Sequence, residues 1–130
     1  MKKVIVGFLF VAILLVIGNS MSKNMKNSKV INYKLEGKTY KLLVADTPEL
    51  WEKGLMNVRK KNGFDGMIFI YPVYLQTSFW NKDTYVDLDI YWLQNDRVIG
   101  KDALLSIEKS NNIIRLKSPD KVNKVIEIIR

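Results

Sequence analysis

The chain contains no cysteine and no histidine. Without them there is no thiolate nucleophile, no disulfide, no imidazole base for a serine-type triad and no sulfur or nitrogen ligand for a typical zinc or copper site. Any cation would have to be held by oxygen, and no cofactor is implied. Proline is scarce, and each of the three (Pro48, Pro72, Pro119) sits where a change of local structure is expected. There is no low-complexity block and no internal repeat.

What is present is a short globular chain with a basic surplus. Apolar residues make up 48% and charged residues 26% of 130 positions, a balance that supports one folded core and leaves no room for a second domain. The net charge is +8. That sign favours solubility and attracts anionic partners such as lipid headgroups or acidic wall polymers. The one long apolar run, Val4 to Gly18, follows Lys2 and Lys3. Its length as a helix is roughly 22 Å, short for a bilayer core and right for the apolar region of a signal peptide. Residues 1–20 therefore read as a signal peptide or an uncleaved membrane anchor, residues 21–29 as a polar tether with three lysines, and residues 30–130 as a β-rich domain. The expected location is the cell envelope, with the domain outside the cytoplasm, either anchored or secreted.

Within the domain, alternation predicts a hairpin, with one strand from Val30 to Leu35, a turn at Glu36-Gly37 and a return over Thr39 to Ala45. Thr47-Pro48-Glu49 is a helix start, and Gly54 limits that helix to about two turns. The apolar run Met67 to Tyr71, ended by Pro72, predicts a strand buried on both faces. Further strands are expected over Gln76 to Trp80, Leu88 to Leu93, Arg97 to Ala103 and Ile113 to Leu116, the middle two joined across Asn95-Asp96. Val125 to Ile129 reads as a final strand after a turn at Ser118-Pro119-Asp120. The sum predicts a mainly β domain, a small sandwich or partly closed barrel with one short helix, preceded by the N-terminal hydrophobic helix.

Three blocks are more specific than composition: Gly54-Leu55-Met56, Gly66-Met67-Ile68-Phe69, and Phe79-Trp80-Asn81-Lys82-Asp83-Thr84 leading to Leu88-Asp89-Ile90. With Val125-Ile126-Glu127, they resemble the uncharacterised family known as domain of unknown function 192, whose pattern runs GLM, GMLF, FWMKNT, PLDI and VLE. Asn81 stands where the family has Met, Asp83 where it has Asn and Asp87 where it has Pro, and the chain is shortened and divergent at its C-terminal end. The resemblance implies a compact, jelly-roll-like β fold and, often, export. It implies no reaction.

Two polar constellations carry the candidate chemistry. If Lys82 to Asp89 is extended, Asp83, Asp87 and Asp89 share one face with Tyr85, a spacing that suits oxygen ligands around a hard cation. Solvated or paired carboxylates are the commoner outcome for such a strand. Arg59, Trp80, Lys82, Thr84 and Asp89 form the second set, able to stack on a ring, bind an anion and accept hydroxyl hydrogens. Its structural alternative pairs Asp89 with Lys82 or Arg59 and uses Trp80 as core filler. Gly54, Gly63 and Gly66 make no phosphate-binding fingerprint, and Arg59-Lys60-Lys61 is too short for a nucleic-acid signature, so no nucleic acid is expected. The leading expectation is a non-enzymatic envelope module binding a small polar ligand, a wall polymer or a partner protein. A hydrolase using Asp87 with Asp89, or Asp89 with Glu127, is the rival, and a structural or assembly protein the third.

Overall fold

The computed structural model describes residues 28–130, so the expectations for residues 1–20 and most of the tether lie outside the described residues. Among the described residues no helix is long and apolar enough to cross a membrane. The strands are β1 (Val30–Leu35), β2 (Lys38–Ala45), β3 (Gly66–Leu75), β4 (Ser78–Trp80), β5 (Leu88–Gln94), β6 (Arg97–Leu104), β7 (Arg115–Lys117) and β8 (Val122–Ile129). Two short helices join them, α1 (Pro48–Lys53) and α2 (Ile107–Ser110).

Six strands form one sheet in the order β1-β2-β3-β8-β5-β6, and β4 pairs only with β7. The mainly β expectation therefore holds, as mostly one mixed sheet with no closed barrel, and among the described residues the second sheet is just the β4–β7 pair. The reason is the connection from β2 to β3. These strands run parallel, which a tight turn cannot achieve, so residues 46–65 cross over through α1 and lie on one face of the sheet. Thr47 caps α1 by accepting from the Leu50 N–H at 3.3 Å, and Gly54 ends it at φ +49.

The sheet curls. In a flat sheet β1 and β5 would stand four strand spacings apart, roughly 19 Å. Instead the Tyr33 hydroxyl on β1 donates to Asp96 in the β5–β6 turn at 2.5 Å, and Lys124 on β8 pairs with the same carboxylate at 3.0 Å. Inside the curl lies one apolar cluster built on Leu35, Leu42, Ile68, Leu93 and Ile126. The other face carries the larger cluster, with Leu43, Met67, Phe69, Ile90 and Trp92 at its centre, covered by Leu50 and Trp51 of α1, by Leu55, Val58 and Phe64 of the crossover, and by Phe79 and Leu116 of the β4–β7 pair.

One strand boundary and one helix depart from expectation. β3 does not stop at Pro72 but continues to Leu75, because five residue steps of β3 from Ile70 to Leu75 oppose two of β8. The resulting bulge takes Pro72 out of the ladder, where its missing N–H costs nothing, and turns Val73 and Tyr74 outward. α2 was not expected; Ser106 caps it by accepting from Lys109 N–H at 3.1 Å, and Asn111 closes it in the left-handed region.

β8, the last strand in the chain, is inserted between β3 and β5, and its approach to β3 is close. A Cβ built on Gly66 would stand 1.8 Å from the Glu127 carbonyl oxygen. Gly66→Ala is expected to cost roughly 3 kcal/mol or more by forcing the central pair apart. Gly37→Ala, whose φ of +83 is strained but whose surroundings are open, should cost about 1 kcal/mol. Urea denaturation of both variants checks this, and equal losses would show that the β3–β8 contact is not tight.

Candidate functional site

The acidic segment is not a strand. Residues 81–87 form an irregular turn with Asp83 in the left-handed region at φ +51, so Asp83, Tyr85, Asp87 and Asp89 do not line one face. The cause is Asn81, which is completely buried. Its side-chain N–H groups donate to the carbonyls of Leu105 and Asn112 and to the Ser110 hydroxyl at 2.9 to 3.1 Å, while its Oδ1 accepts from Ile114 N–H at 2.8 Å. One amide thus ties the turn to both ends of α2 and to the approach to β7, and it does so at the position where the family pattern has Met. Thr84 is buried in the same turn, its hydroxyl donating to the Lys82 carbonyl at 3.1 Å.

The aspartates find partners within the chain. Asp87 accepts from Ser106 N–H at 2.8 Å and from Lys109 Nζ at 3.2 Å, and the backbone bond, then the lysine, holds its carboxyl below the usual range. Asp89 is bound by Arg130 at 2.8 Å, rather than by Lys82 or Arg59. Among the described residues no group of three or more acidic side chains could hold a metal ion, so Asp83, Asp87 and Asp89 do not converge on a cation site. Asp89 and Glu127 cannot flank one substrate either. Asp89 pairs with Ile128 and Glu127 with Ile90, so adjacent register places the two carboxyls on opposite faces of the sheet.

The five residues expected to form a recognition cluster are each engaged by partners within the chain. Arg59 lies over the Tyr85 ring at 4.1 Å and pairs loosely with Glu108 at 3.5 Å. Trp80 is half-buried and carries Arg115 at 4.2 Å and Lys82 at 5.3 Å over its ring, so the ring is already engaged by cations. Thr84 belongs to the Asn81 turn, and Asp89 to Arg130. Arg59 alone of the five borders a cleft described here.

That cleft, about 580 Å³, opens between the β1–β2 hairpin and the crossover loop. Its floor is apolar, made by Val30, Leu43, Val58 and Phe64, and its rim carries Asn57, Arg59, Lys60 and Asn62. Behind the loop a second hollow of about 430 Å³ is bordered by Lys41, Lys61 and Asp65, where Asp65 accepts from Lys41 N–H at 2.9 Å and faces Lys61 Nζ at 3.8 Å. Lys60 makes no ion pair among the described residues. The basic triplet and Gly63 were visible in the sequence. That Asn57 and Asn62 would join them over an apolar floor was not, because it needs the parallel crossover.

Glu127 is the other feature that composition could not expose. It projects from the middle of β8 into the larger cluster's face, between Met67 and Ile90, and is 4% exposed. Its Oε2 is buried with no hydrogen-bond partner among the described residues. Burial pushes its pKa up from 4.5 to about 8, and Tyr71, buried on the same face, feels its charge. At neutral pH the group is mostly a neutral acid, able to donate one hydrogen bond and accept others.

Two tests follow from this geometry. Between pH 4.5 and about 8 the folded chain retains a proton on Glu127 that the unfolded chain releases, so this group lowers stability as pH rises through that window. Glu127→Gln should therefore be more stable than the native chain by roughly 3 to 5 kcal/mol near about pH 9, with the gap closing by about pH 4; melting temperature against pH is the measurement. Asn81→Ala should cost roughly 2 to 4 kcal/mol in urea denaturation, since it leaves the Ile114 N–H and the Leu105 carbonyl without that partner.

Comparison with known proteins places this architecture. No protein with a curated description matches the chain. Among solved structures, a Sinorhizobium meliloti protein described as a candidate transcription regulator superposes with a TM-score of 0.59 at 28% identity, over 77% of this chain and 78% of that one. A protein of unknown function from Novosphingobium aromaticivorans superposes with a TM-score of 0.59 at 20% identity, over 78% and 81%, a likeness of fold alone. The family model DUF192, described as uncharacterised ACR, matches residues 30–130, which is the whole β domain, and the chain belongs to that family.

Proposed function

We propose that this protein is a non-enzymatic binding module, carried outside the cytoplasm by its N-terminal apolar segment, and that its ligand occupies the cleft beside residues 57–64. The observation that carries the reading is the pairing of an apolar floor with a basic and amide rim: Leu43, Val58 and Phe64 below, Arg59, Lys60, Asn57 and Asn62 above. Such a surface suits a small amphiphilic molecule with an anionic group, whose charge meets Arg59 and Lys60 while its apolar part is removed from water. This moves the ligand site expected around Trp80, Lys82 and Asp89 to the crossover loop, because Lys82 and Arg115 cover the Trp80 ring and Arg130 engages Asp89.

The test is calorimetric titration of the full chain in zwitterionic nanodiscs with octanoate, octyl phosphate and the neutral alcohol octanol. Both anions are expected to bind, and Arg59→Glu with Lys60→Glu should weaken them by about tenfold or more while leaving octanol unaffected. Equal binding of anion and alcohol, or binding indifferent to the double variant, would refute the cleft as the site.

A further inference from the structure

The cleft and the buried acid are parts of one row. In the sheet register Val30 pairs with Leu43, Leu43 with Met67, Met67 with Glu127 and Glu127 with Ile90. Paired residues share a face, so Val30, Leu43, Met67 and Glu127 project side by side from four neighbouring strands toward the same layer. The first two form the cleft floor, and Glu127 lies two strand spacings inward from Leu43, roughly 10 Å.

Met67 on the intervening strand and side chains of the crossover lie between the two. Val58 and Phe64 both line the cleft and pack against the core cluster to which Met67 belongs. The segment carrying them has no regular secondary structure from residue 57 to 65, with Asn57 at φ +65 and Gly63 at φ +80 as its bends. Met67, unbranched and polarizable, is the side chain on the intervening strand and the one best able to change shape. An unpartnered carboxyl at the centre of an apolar face is costly, and neither the curl nor the Asn81 turn uses it.

We infer that Glu127 is the inner end of the cleft's binding site: it hydrogen-bonds a hydroxyl at the far end of a linear ligand, roughly 10 Å beyond Leu43 along the row Leu43-Met67-Glu127. This rests on the cleft being the ligand site and adds to it the class of ligand, a linear anionic amphiphile with a polar far end. The anion stays with Arg59 and Lys60, the chain lies over Leu43 and displaces Val58 and Phe64 from Met67, and the hydroxyl supplies the partner that Glu127 lacks. The chemistry discriminates in one direction. An apolar end wall would favour a terminal methyl, and only a polar group there makes a hydroxyl preferable.

The experiment compares ω-hydroxyoctanoate with octanoate by calorimetry on the full chain in the same nanodiscs. The native chain is expected to bind the hydroxy acid about tenfold more tightly. Glu127→Leu should keep octanoate binding and lose the preference or invert it, and Glu127→Gln, which preserves shape and a hydrogen-bonding group, should keep part of it. If the native chain binds both acids alike, or prefers octanoate, the inference about Glu127 is wrong and the cleft reading stands. A preference that survives in Glu127→Leu also overturns it. If neither acid binds, or if Arg59→Glu with Lys60→Glu leaves both unaffected, the cleft reading falls and this inference falls with it.

Discussion

The close pairing of β3 with β8 at Gly66 is the contact on which the rest of the architecture depends. β8 joins the half of the sheet built from the first hairpin and the crossover to the half built from β5 and β6. Without that pairing the sheet would part into two three-stranded halves, β1-β2-β3 and β8-β5-β6, neither of which buries the whole core. The absence of a Cβ at Gly66 lets the backbone of Glu127 approach, and that approach brings Met67 and Ile90 to either side of the Glu127 side chain. The same contact therefore closes the core and buries an acid within it.

Charge in this domain divides accordingly. At the surface, Asp87, Asp89 and Asp96 are each matched by a cation, Lys109, Arg130 and Lys124 in turn, and such exposed or half-exposed pairs contribute little each but set positions. The Asp96 pair differs in effect because it is joined by the Tyr33 hydroxyl and so holds the curl of the whole sheet. Glu127 has no counter-ion among these pairs and sits where the dielectric is lowest, which makes its neutral form the stable one at neutral pH. A carboxyl placed so is a weak contributor to folding.

Local signals in the chain anticipated local structure well. Glu36-Gly37 and Asn95-Asp96 mark the two hairpin turns, Thr47-Pro48 starts α1, Gly54 ends it, and the apolar run from Met67 is the buried central strand. Each depends on neighbours a few residues apart, the range over which turn chemistry, capping and alternation act. The family resemblance was also legible, since its blocks fall on β3, β4 and the turn leading into β5. What failed was extension of a local rule across an irregular segment: alternation was carried through residues 81–87, where a buried Asn81 amide bends the chain instead.

The sequence by itself determined the strands, their turns, the mainly β class, the family and the absence of any thiol or imidazole chemistry, because those follow from composition and short-range pattern. Only the tertiary structure decided that β2 and β3 run parallel, that β8 enters between β3 and β5, that Arg59 lies over Tyr85, and that Asp89 and Glu127 face opposite ways. Those facts rest on which strands lie side by side. Strand order arises from packing summed over the whole chain, which no window of a few residues contains.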